Sequence, residues 1–129
     1  MSDQKSPKWK PTLLKQNVEA KITFTADSPV ATGVSKYGEW RLYPLVVENC
    51  KVMNGSEAVE PYTGEAIVFV NMESTDAKGN VKPSKIWNKI IPQLAEGNFV
   101  FLITKVGKET SRGTIYTDFE VKLEDGTEL

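Results

Sequence analysis

The chain has no histidine and one cysteine, Cys50, in 129 residues. A single cysteine excludes an intramolecular disulfide. Without histidine, the usual zinc sites, the Ser-His-Asp triad and the Cys-His dyad fall away together. Neither GxxxxGK[ST] nor GxGxxG occurs, so no phosphate-cradling loop is announced. The carboxylates are scattered rather than gathered at metal-ligand spacing. From these absences the expectation is a protein that is not an enzyme and carries no metal and no cofactor. Long hydrophobic runs are missing too: none approaches the roughly 18 residues of a membrane span. Met1 to Pro11 is polar and basic, without the apolar stretch of a secretory leader. No membrane association and a cytoplasmic location (the host's cytoplasm, for a viral protein) are therefore expected. Cys50, at the end of an apolar stretch, reads as a small core residue.

Charge of either sign is nearly balanced, at a net −1. That total does not advertise a polyanionic partner, but its distribution is uneven. Lys5, Lys8, Lys10 and Lys15 face only Asp3 in residues 1–16, whereas Glu124, Asp125 and Glu128 close the chain without a base. A binding groove needs local positive potential rather than a basic total.

What is present is alternation. Val18, Ala20, Ile22 and Phe24 alternate with polar residues as a half-buried strand. Val30 and Val34 extend it past a bend punctuated by Pro29 and Gly33. Lys36 to Glu39 reads as a loop tip before a second strand, Trp40 to Val47, in which Pro44 demands a bulge or an edge. Met53 to Gly64 reads as a long connection, Glu65 to Met72 as a third strand and Glu73 to Pro83 as a polar loop. Ser84 to Glu96 has apolar residues at helical spacing, with Ser84 as N-cap and Gly97 as the residue past the end. Pro92 predicts a kink, or a helix ending near Ile91. Asn98 to Val106 and Thr114 to Leu123 complete the set, joined by the Gly107–Gly113 loop. Five strands with one helix between the third and fourth predict an all-β fold, a five-stranded barrel of the OB type with a capping helix. The domain reading is an extended basic arm over residues 1–17, the barrel over 18–123 and a short acidic tail over 124–129. Trp9 reads as an anchor of the arm or, alternatively, as a stacking surface.

The stretch Ser35-Lys36-Tyr37-Gly38-Glu39-Trp40-Arg41-Leu42 resembles OB-fold single-stranded DNA-binding proteins of the archaeal and phage kind. There a Lys/Gly-bearing loop opens into a strand of alternating basic and aromatic residues. Leu94-Ala95-Glu96-Gly97-Asn98-Phe99-Val100 is similar to the family's passage from helix to fourth strand, and Gly107…Gly113 with Tyr116…Phe119…Val121 fits its last two strands. The resemblance implies a sequence-tolerant binder that protects single-stranded DNA in replication, recombination or repair. It would work through a positive groove and aromatic stacking. In such a barrel the loops holding Lys36, Tyr37, Lys108 and Arg112 flank the binding face. On the second strand, Glu39, Arg41 and Tyr43 are expected to point outward and Trp40 inward, because the opposite phase exposes Trp40 and buries Arg41. Phe69 and Asn71 on the third strand can face the ligand, although a phenylalanine there more often belongs to the core, and Lys105 on the fourth completes the neighbourhood. The candidate nucleic-acid-binding residues are thus Lys36, Tyr37, Trp40, Arg41, Tyr43, Phe69, Lys105, Lys108 and Arg112. The acidic tail reads as a frayed end, or as a recruiter of replication proteins by comparison with the tails of such binders. A homo-oligomer, an RNA ligand, or a protein-interaction subunit without nucleic acid stay open, since contacts to the 2′-hydroxyl and not composition separate RNA from DNA.

Overall fold

The computed structural model describes residues 6–36, 38–75 and 78–129. Its elements are β1 (Ala20–Phe24), β2 (Ala31–Ser35), β3 (Gly38–Asn54), β4 (Glu57–Val70), β5 (Glu73–Thr75), β6 (Val81–Pro83), α1 (Lys85–Ala95), β7 (Val100–Glu109) and β8 (Ile115–Leu123), with a 3-10 turn at Pro11–Leu13. The protein is mostly strand, with one α-helix among the described residues. No described helix is long and apolar enough to cross a membrane.

β1 and β2 are two halves of one bent strand lying along the same edge of β3. β1 pairs Ile22 with Val47 and Phe24 with Leu45, while β2 pairs Ala31 with Leu42 and Ser35 with Gly38. Pro44 sits opposite the bend between them. Its carbonyl takes the Thr25 N–H at 3.1 Å, and its missing donor faces the gap where neither half-strand reaches. No bulge is needed there, and the register shifts fall instead between Val47 and Val52, around Asn49 at φ 52°. β7 pairs with the other edge of β1, and β8 pairs with β7, all antiparallel.

Two stretches expected to be irregular are not. Residues 53–64 are not a loop: β3 and β4 form one long hairpin that turns tightly at Gly55, pairing Asn54 with Glu57. Within the expected polar loop at 73–83, β5 and β6 form a small hairpin of their own. The helix departs from the expected end near Ile91 in the other direction. It runs unbroken from Lys85 to Ala95 through Pro92. Its N-cap is Ser84, whose Oγ accepts from the Trp87 N–H at 3.4 Å, and Gly97 lies past its end at φ +87°.

The sheet is open. Among the described residues no ladder joins β4 to β8, the pairing that would close a barrel. Chain-terminal segments occupy both edges instead. On β4, the Ile67 N–H donates to the Pro7 carbonyl at 2.9 Å and the Ile67 carbonyl accepts from Trp9 N–H at 2.8 Å. Between them Lys8 exchanges two 2.8 Å backbone bonds with Met53 of β3. The arm is thus a short strand wedged between the far part of β3 and the near part of β4. On β8, Leu123 N–H donates to Thr127 and Leu129 N–H to Val121, so the tail folds back along the edge. Asp118 caps a further outward donor, the Phe119 N–H, at 2.9 Å. Edges blunted in this way resist pairing with another chain.

The core is one cluster built from Trp9 and Leu14 of the arm, Ile22, Phe24, Tyr43, Leu45, Val47, Val68, Val70, Phe101 and Ile103 of the sheet, and Trp87, Ile90 and Leu94 of the helix. Phe24 meets Tyr43 and Phe101 edge to face, each at 5.7 Å between ring centroids. Cys50 is buried in it, as expected of a small core residue. Burial pushes its thiol pKa up.

Candidate nucleic-acid interface

Tyr43 is 2% exposed and belongs to the core, which reverses the expected phase of the second strand. Side chains alternate across a strand, so Trp40 and Leu42 turn to the outer face. The facing stretch of β4 alternates in the same way: Val68 and Val70, opposite Tyr43 and Arg41, are buried, while Phe69, opposite Leu42, is 41% exposed. Trp40 and Phe69 meet on that outer face at 5.5 Å between centroids with their planes at 73°, an edge-to-face pair.

Two smaller partners frame this pair. Gly33 of β2 is the direct cross-strand partner of Trp40. A Cβ at residue 33 would stand 2.3 Å from Cζ2 of the indole, so the ring covers the glycine and lies across β2. An aromatic side chain sheltering a glycine on the neighbouring strand stabilises a sheet that glycine alone weakens. On the far side, the ammonium of Lys8 stands 5.0 Å from the centre of the Phe69 ring. Gly33, Trp40, Phe69 and Lys8 therefore form a stripe running across the strands, contributed by β2, β3, β4 and the arm.

Arg41 lies on the opposite face from Trp40, but at the rim of the sheet rather than in its centre. Its Nε donates to Glu39 Oε1 at 3.2 Å. Hydrogen bonding to the Tyr43 hydroxyl and then to Glu39 pushes its pKa up. The phase that costs most for a central arginine thus costs little here: the guanidinium reaches the rim and is paired. The Asn71 amide donates to the Glu39 carbonyl at 3.0 Å, which fixes the strand beneath. Arg41, Lys36 and Glu39 line a cleft of about 370 Å³ whose other wall is Met72, Glu73 and Val81.

The remaining candidates lie elsewhere. Tyr37 is outside the described residues. Lys105 donates from Nζ to the Thr12 carbonyl at 3.0 Å and holds the arm against β7. Lys108 is paired with Asp118 at 3.2 Å across the β7–β8 hairpin, which raises its pKa. Arg112 sits exposed in the turn of that hairpin. Trp9 is 2% exposed, so it anchors the arm. The tail is not a frayed end, being paired to β8.

Sequence reasoning did not place Lys8 or Gly33 in the site. Gly33 was legible: a turn at 36–37 between two strands places residues 33 and 40 opposite one another. Lys8 was not, because its place depends on a bridge to Met53 and Ile67, far along the chain. The stripe offers π-faces and an edge of positive charge on an open surface. Comparison of the chain with protein-family models, with curated proteins and with solved structures finds no match.

Proposed function

We propose that this protein binds single-stranded nucleic acid, DNA by preference, across the outer face of β2, β3 and β4. Bases would stack on Trp40 and Phe69, and Lys36 and Arg41, in the cleft at the rim beyond that face, would supply positive potential. The observation that carries this reading is the Trp40–Phe69 pair: two large aromatic rings on the outer sheet face, Phe69 exposed and Trp40 half-buried, with a cation beside them. Every base has a π-face, so such a platform is tolerant of sequence, and each stacked base contributes about 1–3 kcal/mol. Because the net charge is −1, stacking would carry more of the affinity than phosphate contacts do. The strand order supports an OB-type barrel in which β1 with β2 form the first strand, and the arm and tail stand where a closing ladder would run. Protection of single strands in replication, recombination or repair is the role that fits a sequence-tolerant binder.

The test is fluorescence anisotropy with a labelled strand of about 30 nucleotides, longer than the roughly 4–16 an OB fold occupies. Duplex and RNA of the same length are compared at two salt concentrations. Tight, salt-dependent binding to single-stranded DNA is expected, with Phe69→Ala weakening it by about 1–3 kcal/mol at every base sequence. Absence of binding at low salt, or an unchanged affinity in Phe69→Ala, overturns the reading and leaves a protein partner as the better account.

A further inference from the structure

Lys8 has a rigid mount and an uncommitted head. Four backbone bonds of 2.8–2.9 Å fix residues 7–9 between Met53 and Ile67, and the next residue, Trp9, is buried in the core. The Lys8 side chain nevertheless points outward and is exposed. Its ammonium faces the Phe69 ring at 5.0 Å and forms no ion pair with a described carboxylate. At an exposed site such a cation–π contact is worth only about 0.5–1 kcal/mol. A phosphate competes well for the same ammonium, since neutralising it releases condensed counterions from the strand. The ammonium also lies over the ring on which a base would stack.

We infer that Lys8 is a phosphate-binding residue of the single-strand site, exchanging the Phe69 ring for a backbone phosphate as a base takes its place on that ring. This rests on the reading of the stripe as a single-strand platform. It makes the arm one wall of the site, so that the site is incomplete unless the arm is docked. The cation and the aromatic ring are contributed by segments distant in sequence, and a bound strand would bridge the two.

Lys8→Ala, Lys8→Met and Lys8→Arg separate the possibilities, with Lys89→Ala on α1 as a control for charge alone. Each is titrated against the same labelled strand over a range of salt, and its melting temperature is measured. Lys8→Ala and Lys8→Met are expected to bind several-fold more weakly. Their slopes of log affinity against log salt should be shallower by about 0.7, the loss of one single-strand phosphate contact. Lys8→Arg should keep both affinity and slope, Lys89→Ala should keep the slope, and all four should melt near the parent. Lys8→Met with an undiminished slope overturns the inference, leaving Lys8 as a cover for Phe69. An equal loss of slope in Lys89→Ala overturns it as well. Failure of the parent protein to bind overturns both this and the single-strand reading, whereas parent binding with an unchanged Lys8→Met slope removes Lys8 alone.

Discussion

Gly33 and Trp40 can be separated by one methyl group. A Cβ at residue 33 would meet Cζ2, Cε2 and Nε1 of the indole at 2.3, 2.5 and 2.9 Å, so the ring must lift from β2. Gly33→Ala is expected to destabilise by about 1–3 kcal/mol, as overpacking does. It should also shift Trp40 emission and weaken single-strand binding, read by denaturation and anisotropy on the same sample. Asp118 carries a different kind of prediction. Accepting the Phe119 N–H, with help from Lys108, holds its carboxyl below the usual carboxylate range. A carboxylate with a depressed pKa contributes stability that is fully present above its unfolded value, about 3.9, and is lost as the pH falls through the folded value. The denaturation midpoint should therefore hold steady from pH 7 to about 5 and fall below about 4, with Asp118→Asn flattening part of that fall. Phe69 shows the limit of residue-type reasoning. An apolar ring in an apolar strand reads as core, yet the residues buried in β4 are its neighbours Val68 and Val70.

The arm and the tail are the elements on which the sheet depends most. Trp9→Ala removes a buried indole and should cost about 3–5 kcal/mol. Trp9→Phe should cost clearly less, because the Trp9 Nε1–H is buried without a partner and its loss relieves that penalty. Deleting residues 124–129 uncovers the outward backbone of Val121 and Leu123 and removes Leu129 from the edge of the core. Light scattering should then show concentration-dependent association through the bared β8 edge. Much at this scale was legible: five strand segments, the bend carried by Val30 and Val34, the Ser84 cap and the Gly97 stop. The distal half of the β3–β4 hairpin was not. Beyond Val52 most side chains are exposed or only partly buried, so no period-two pattern marks the strands, and the Asn54-Gly55 turn signal stood alone. Pro92 does not end the helix near Ile91, and it lies on the exposed side. Ile90 and Leu94 on either side of Pro92 stay buried and hold the last turn. The phase of β3 misled because burial changes along a strand as well as across it: Arg41 and Tyr43 share a face, but one is at the rim and the other deep.

At the scale of the molecule, distant contacts dominate. The arm bridges Met53 and Ile67, and β7, made late in the chain, pairs with β1, made early. Such topology is slow to fold, and it ties the platform on β2, β3 and β4 to segments at both extremes of the sequence. The three tryptophans divide this architecture between them. Trp9 reports on the arm and Trp87 on the helix, and both are screened from solvent at 2% and 7% exposure. Trp40 alone is partly exposed, on the face proposed to meet the ligand. The protein is therefore its own optical probe. A soluble quencher should extinguish the Trp40 fraction of the emission and spare the other two. A bound strand should shield that same fraction, so occupancy of the stripe can be followed without a label, while a red shift of the remaining light marks undocking of the arm or loss of the core.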